Sequence, residues 1–163
     1  MKIFIGADHA GYELKEALKT YLEELELGYE VLDEGALKFD ADDDYPDFCM
    51  EVGKSVAGAK GSFGIVIGGS GQGEAIAANR VPGARAVVFY GQMLPKGAVD
   101  VKGGTSNDSF EIIKLARMHN DANVLSFAAR FVTDDEAKFA TELFLNTKFS
   151  GDERHMRRIK KLG

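Results

Sequence analysis

The segment GGSGQGEAIAANR, residues 68–80, combines the residue types of an anion site with those of an acid–base site. Four of its first six residues are glycines, which leave backbone N–H groups free to approach a bound anion. Glu74 follows directly, where a carboxylate would repel a phosphate. No Lys-Ser or Lys-Thr follows, and Glu74 replaces the last glycine of the dinucleotide fingerprint. A small anion, or an oxyanion formed during a reaction, suits these donors better than a nucleotide.

Both features also have a purely structural explanation. The glycines could form only a tight strand-to-helix turn, and Glu74 could only complement a helix dipole, an effect of a few tenths of a kcal/mol. Alternatively, Glu74 could remove a carbon-bound proton next to a carbonyl whose oxygen is held by the loop N–H groups. A base of this kind typically contributes ~10²–10⁴-fold in rate.

A second polar loop, ADHAG, follows the first apolar run and carries Asp8 and His9. Asp8 could be a helix cap or a site residue. The chain has three histidines, and each lies in a polar segment: DHAGYE, RMHNDAN or ERHMRR. Their polar surroundings argue against a role as core histidines.

The acidic run DADDDYPDFCME has the carboxylate spacing of a calcium-binding loop, with Asp40, Asp42, Asp44 and Glu51 at positions 1, 3, 5 and 12. Tyr45 stands where that loop needs a glycine, and the proline after it is typical of a first helical residue. A solvated acidic loop is therefore the favoured interpretation.

The chain ends in a basic segment, DERHMRRIKK, in which Arg154 and Arg158 are four residues apart and share one face of a helix. The basic residues could simply interact favourably with the negative end of the helix dipole. Two arginines on one face also match the bidentate geometry that phosphate prefers.

These loops must be held by a sheet, because apolar runs alternate with helical periods along the whole chain. The pattern predicts a three-layer doubly wound α/β fold with a five-stranded parallel sheet in the order 2-1-3-4-5. In that order, ADHAG and GGSGQG leave neighbouring strands at the switch point where such folds bind ligands.

The length of 163 residues predicts a single domain. A net charge of −6 argues against nucleic acid and membrane surfaces as partners. A single cysteine, Cys49, excludes an internal disulfide, and the absence of a signal-like start or a long apolar run predicts a cytoplasmic protein.

Several of these segments together resemble the type B ribose-5-phosphate isomerases, a sugar-phosphate isomerase group that includes galactose-6-phosphate isomerase subunits. The resemblance covers nearly the whole chain and rests on IGADHAGYELK, DYPDF, GGSGQGEAIAANRVPGARA, HNDANVL followed by AAR, and the terminal RHMRR. Many members have a catalytic cysteine where this chain has Gly68. The chain instead resembles a subgroup with G-G-S-G-x-G-E, which implies that Glu74 is the base and that Cys49 is not.

The resemblance also implies the other site residues and the assembly. Glu74, His119, Asp8 and Ser70 would form the catalytic group, with His119 or Asp8 moving a proton during ring opening. The expected substrate and phosphate ligands are Asp8, His9, Gly69, Ser70, Gly71, Gln72, Gly73, Asn120, Arg130, Arg154 and Arg158. It implies no metal or cofactor, and a homodimer, or a dimer of dimers, with active sites at the subunit interface.

One segment departs from the resemblance: residues 91–109 are about twenty extra residues, and they could be a lid, a dimer contact or a loose loop. Because this segment lies beside the expected site, it leaves the identity of the substrate sugar undecided. Ribose 5-phosphate is the first expectation, and a six-carbon sugar phosphate such as galactose 6-phosphate or allose 6-phosphate is the alternative. A non-catalytic flavodoxin-like binding module is a remote third interpretation.

Overall fold

A parallel sheet with helices on both faces forms the centre of the computed structural model, which describes residues 1–162. The five strands come from short apolar runs: β1 (Lys2–Ala7), β2 (Glu30–Asp33), β3 (Phe63–Gly68), β4 (Ala86–Phe89) and β5 (Val124–Ala128). Each neighbouring pair is parallel, which confirms the predicted doubly wound α/β architecture.

The six helices are α1 (Tyr12–Glu24), α2 (Tyr45–Gly58), α3 (Gln72–Ala78), α4 (Glu111–Asn120), α5 (Asp134–Asn146) and α6 (Glu153–Ile159). Side chains of β1 alternate between two apolar cores, as the two-residue period of a strand requires. Ile3 and Ile5 pack with α1, α4 and α5 on one face, whereas Phe4 packs with α2 and α3 on the other.

The predicted strand order is wrong at one edge: the sheet runs β2-β1-β3-β5-β4, not 2-1-3-4-5. Periodicity could not separate β4 from β5, since both are short apolar runs. Burial does separate them, because all five residues of β5 are buried while three of the four in β4 are only partly buried. A right-handed step from β4 back to β5 also explains why α4 lies on the face opposite α2 and α3.

The extra segment between β4 and α4 folds back on itself. Its base is closed by the N–H of Met93, which donates to the carbonyl of Ser109 at 2.8 Å. Nearer the tip, the N–H of Val99 donates to the carbonyl of Gly104 at 2.8 Å. Within residues 1–162, no helix has the length and apolar character needed to span a bilayer.

Candidate active site

Glu74 lies in the first turn of α3, and its carboxylate turns back over the end of β3. A Cβ built on Gly68 would overlap this carboxylate, so the glycine leaves the space that the acid fills. Glu74 is only 4% exposed, and its Oε2 is buried without a hydrogen-bond partner in the described part of the chain. Burial raises the pKa of Glu74 above its ordinary value, and the charge of Asp8 adds to the effect, while Arg130 opposes it. A buried carboxyl group with a raised pKa and an unpartnered oxygen is a strong candidate for a general base.

The glycine loop is held in place by β5. The Oγ of Ser126 donates to the carbonyl of Gly71 at 2.6 Å in a buried contact. Gly71 has a φ of +72°, a left-handed conformation that favours glycine, and a Cβ there would lie 2.9 Å from Val88. The exposed Ser70 accepts a hydrogen bond from the N–H of Gln72 at 3.3 Å, and the Gln72 amide reaches the hydroxyl of Tyr90 at 2.5 Å.

Arg130 reaches the loop because β5 lies beside β3. Beyond β5, the N–H of Ala129 donates to the carbonyl of Gly68 at 2.9 Å and the N–H of Arg130 to that of Gly69 at 3.3 Å. The guanidinium of Arg130 then lies over Gly69, where a Cβ would be 2.9 Å from its Cζ. The predicted order would have put β4 in this position, so the corrected order is what brings Arg130 to the site.

Asp8 and His9 leave β1 beside the glycine loop, as expected for neighbouring parallel strands. The Oδ1 of the buried Asp8 accepts the N–H groups of Ala10 at 3.0 Å and Gly11 at 3.2 Å, so Asp8 does stabilise the turn into α1. His9 donates to a residue that the sequence did not single out. Its Nδ1 lies 2.8 Å from Oδ1 of Asp43, and its backbone N–H reaches the same oxygen at 2.9 Å.

The prediction of a solvated acidic loop is therefore wrong for one residue, Asp43. Asp40, Asp42 and Asp44 are exposed, but the side chain of Asp43 is only 8% exposed. Spacing alone could not reveal this, because the three consecutive aspartates 42–44 look alike in the sequence until the fold buries one of them. Asp8, His9 and Asp43 bring three possible metal ligands within 4.8 Å, yet the short His9–Asp43 contact is that of an imidazole–carboxylate pair.

Tyr45 is a second residue that sequence reasoning missed. It begins α2, and its phenol ring covers Gly73, where a Cβ would lie 2.7 Å from Cζ. The tyrosine appeared in the sequence only as the residue that spoils a calcium loop. Its nearness to Gly73 could have been predicted only from the packing of α2 against α3.

His119 and Asn120 lie elsewhere in the subunit. They form the last turn of α4, which leads into the start of β5, and the carbonyl of Asn120 accepts from Arg85 at the start of β4 at 3.2 Å. Glu74 lies at the opposite, carboxyl end of the strands. The two ends are separated by roughly 13–16 Å, since each strand residue advances about 3.3 Å. One subunit therefore does not bring His119 to its own Glu74.

The basic segment accompanies His119, not Glu74. Helix α6 packs against the end of α4, and the imidazole of the buried His155 lies 4.3 Å from that of His119 between ring centres. Burial lowers the pKa of His119, and the neighbouring His155 and Arg154 act in the same direction. Arg158 is exposed on the same short helix. The predicted residues thus form two groups at opposite ends of the sheet.

Cys49 does not belong to either group as a reactive side chain. It is completely buried in α2, and burial raises its pKa, so its reactive thiolate form is disfavoured.

Comparison with known proteins gives a consistent family assignment. The family model described as Ribose/Galactose Isomerase matches in two segments, residues 3–102 and 100–162. The junction lies inside the extra segment that follows β4. Nearly all of the chain is therefore covered, and the break coincides with the one departure from the family pattern.

Two curated relatives and one solved structure illustrate the similarity. Ribose-5-phosphate isomerase B of Mycobacterium tuberculosis is 42% identical over 159 residues, covering 98% of this chain and 86% of the relative. Ribose-5-phosphate isomerase B of Escherichia coli is 36% identical over 159 residues, covering 98% and 92%. The crystal structure of the Mycoplasma genitalium enzyme with bound ribulose 5-phosphate matches with a TM-score of 0.82 and 36% identity, covering 99% and 93%.

Proposed function

The chain belongs to the ribose/galactose isomerase family, and on that premise we propose that it interconverts ribose 5-phosphate and ribulose 5-phosphate. The observation that carries the proposal is the buried Glu74, whose unpartnered Oε2 lies beside a loop of backbone N–H donors. This arrangement suits proton transfer next to a carbonyl, which is the chemistry of an aldose–ketose isomerase. A relative that holds ribulose 5-phosphate supports the choice of sugar.

The proposed reaction proceeds through an enediolate. With the aldose ring open, Glu74 removes the hydrogen on C2, and the electron pair moves toward C1 so that negative charge develops on O1. The N–H groups of Gly69–Gly73, with Ser70, stabilise that charge. Glu74 then returns the proton to C1, while the proton on O2 passes to O1, which leaves the ketose. The interconversion has no net change of oxidation state, so it needs no redox cofactor, and the proposed steps include no metal ion.

Ring opening and phosphate binding are assigned to the second group of residues. We place His119 as the acid that protonates the ring oxygen, because a lowered pKa makes its imidazolium a stronger donor. Asp8 is the alternative proton carrier. Asn120, Arg154 and Arg158 would complete substrate binding together with His9 and Arg130.

The separation of the two groups supports a homodimer in which His119 and α6 of one subunit serve Glu74 of the other. Exchange of this kind requires a self-complementary interface with a twofold axis, which is the commonest oligomer symmetry. The acidic loop beside His9 and the basic α6 carry opposite charge, which favours such a contact. A dimer of dimers would preserve the same sites. Because a charged sugar phosphate does not cross a bilayer unaided, we place the reaction in the cytoplasm.

A six-carbon sugar phosphate, such as galactose 6-phosphate or allose 6-phosphate, is the second candidate substrate. The observation that favours it is the extra segment, residues 93–99 of which line a cavity of about 300 Å³ together with Ile112, Leu115 and His119. A wall next to His119 could alter the room available to the sugar.

A substrate panel in deuterated water tests the proposal. We expect ribose 5-phosphate and ribulose 5-phosphate to interconvert with solvent deuterium appearing at the exchanged carbon, and six-carbon sugar phosphates to react more slowly. Glu74→Gln should lose ~10²–10⁴-fold in exchange while it still binds the sugar. Glu136→Gln, in the capping box of α5, is the matched control. Near-normal exchange in Glu74→Gln would show that the glutamate is not the base. Faster turnover of a six-carbon sugar phosphate than of ribose 5-phosphate would make the six-carbon sugar the proposed substrate.

A further inference from the structure

We infer that Asp43 is a positioning residue for His9, which holds the imidazole in one orientation and keeps it cationic for an anionic substrate. The inference rests on the proposed function for the identity of that anion, a sugar phosphate. It assigns a role to a residue of the acidic run that is not itself expected to touch the substrate.

The hydrogen bonds define both the backbone and the ring of His9. One oxygen of Asp43, Oδ1, accepts the backbone N–H at 2.9 Å and lies 2.8 Å from Nδ1. An ionised carboxylate is an acceptor only, so Nδ1 must carry the proton. The other ring nitrogen, Nε2, has no hydrogen-bond partner among residues 1–162 and is left for a ligand. Carboxylates that orient histidines in this way are a common supporting arrangement.

The burial of Asp43 sets it apart from its neighbours. Its side chain is 8% exposed and Oδ2 is buried without a partner, whereas the adjacent Asp42 is exposed. The lysines on α1 do not neutralise Asp43, because Lys15 and Lys19 both bind Asp33 instead. Within the described chain, His9 is the one basic group that pairs with Asp43. A buried carboxylate that depends on a single basic partner favours the charged form of that partner.

The charges around His9 agree with this assignment. The titratable groups that act on it are Asp43, through the hydrogen bond, and Asp8 at the end of the same strand. The hydrogen bond to Asp43 raises the pKa of His9 above its ordinary value, and the charge of Asp8 acts in the same direction. The imidazolium is therefore more populated near neutral pH than it would be in an isolated histidine.

The segment that carries Asp43 is itself fixed. Its N–H donates to the carbonyl of Asp40 at 3.2 Å, and α2 begins only two residues later at Tyr45, with a proline in its first turn. Asp43 is thus held between a turn and a helix, so His9 is oriented before any ligand arrives. Preorganisation of this kind lowers the cost of binding.

The test compares Asp43→Asn with Asp42→Asn, which makes the same charge change one residue away at an exposed site. Two quantities are measured: the titration midpoint of the His9 ring by NMR in the ligand-free protein, and KM and kcat for ribose 5-phosphate from about pH 6 to about pH 8. For Asp43→Asn we expect a lower midpoint and a KM raised roughly 5- to 10-fold near pH 8, with kcat within about 2-fold, since hydrogen bonds to charged groups are stronger than neutral ones. Asp42→Asn should match the original protein.

A merely structural role for Asp43 predicts a different outcome. If the charge on His9 is what matters, KM of Asp43→Asn should approach that of the original protein as the pH falls, because protonation restores the imidazolium. A KM defect of equal size at every pH, or an unchanged His9 midpoint, would overturn the inference. Loss of activity of the unmodified protein on treatment with a chelator, restored by added divalent cation, would replace it with a metal site.

The failure of this inference can be separated from failure of the proposed function. If the unmodified protein does not isomerise ribose 5-phosphate, the NMR titration of His9 still tests the pair. Inorganic phosphate then serves as the probe, and Asp43→Asn should bind it roughly 5- to 10-fold more weakly near pH 8. Equal phosphate affinity in the two proteins would count against Asp43.

Discussion

The carboxylate of Glu74 occupies the space that a side chain on Gly68 would need. The two residues are six apart in the chain, but the turn into α3 brings the acid back over the end of β3. A reactive side chain can therefore occupy this space from residue 68 or from residue 74, but not from both at once. This exclusion gives a physical reason for the glutamate-base pattern that the sequence resembles.

Adding a methyl group to Gly68 should displace Glu74 from the site. We expect Gly68→Ala to lower kcat by at least ~10²-fold, because a displaced base loses most of its contribution to the rate. Gly58→Ala is the matched control, since a Cβ at this end of α2 meets nothing within 4 Å. Steady-state turnover of ribose 5-phosphate measures both. Full activity in Gly68→Ala would mean that Glu74 acts from another position.

The raised pKa of Glu74 links activity and stability to pH in opposite directions. Turnover needs the ionised base, so kcat/KM should rise as pH increases through the folded-state pKa. Burial raises that pKa above its unfolded value, so the stabilising contribution of the protonated acid is complete below the unfolded pKa. It is lost as pH rises through the folded pKa.

Glu74→Gln should therefore be more stable than the original protein at neutral and alkaline pH, and the difference should shrink in acid. A gain of about 1 kcal/mol would raise Tm by about 2–4 °C in a chain of this size. Thermal unfolding across a pH series measures the effect. A Tm advantage that is the same at every pH would show that packing, and not the buried charge, accounts for it.

Sequence reasoning placed Asp8, His9 and the glycine loop at one edge of the sheet because parallel strands end at the same side. It could not order β4 and β5, since hydrophobic period does not distinguish a central strand from an edge strand. The wrong strand order also affected the predicted site, because the position of β5 decides where Arg130 lies. Asp43 was hidden for a different reason: burial within an acidic run depends on tertiary packing.

The separation of Glu74 from His119 is also a matter of topology. Helices that connect parallel strands run antiparallel to them, so the last turn of α4 must lie at the end of the sheet away from the glycine loop. The predicted parallel sheet already implied this placement of His119, although the spacing of residues alone did not. Only the resemblance suggested that two subunits share a site, and this sharing stays a proposal.

Shortening the extra segment should change the preference for sugar length. Met93 and Ser109 are already hydrogen-bonded, so a short glycine–serine linker can replace residues 94–107 without straining the base. Since residues 93–99 line the cavity next to His119 and are the feature that favours a longer sugar, their removal should shift relative kcat/KM toward ribose 5-phosphate by roughly 10-fold, the scale on which a pocket discriminates one carbon.

A point variant controls for general effects on the segment. Val101→Ala alters an exposed side chain that does not line the cavity, and it should leave the substrate ratio unchanged. The ratio of kcat/KM values for ribose 5-phosphate and allose 6-phosphate is the measurement. An unaltered ratio in the shortened chain, with a weaker dimer by sedimentation, would make the segment an oligomer contact alone.

The proposed sharing of sites between two subunits makes a quantitative prediction for mixed dimers. Glu74→Gln and His119→Ala should each lose ~10²–10⁴-fold in activity as homodimers. In a mixed dimer, the Glu74 of one chain and the His119 of the other make one intact site, and the second site carries both substitutions. Random reassembly gives half mixed dimers with one of two sites intact, so about a quarter of the original activity should return.

Glu74→Gln mixed with Gly68→Ala is the control, because both changes fall in the same group and no combination restores a site. If the mixture of Glu74→Gln and His119→Ala stays inactive although mixed dimers form, the two residues do not meet across an interface, and the ring-opening role must pass from His119 to Asp8, which lies beside Glu74 in the same subunit.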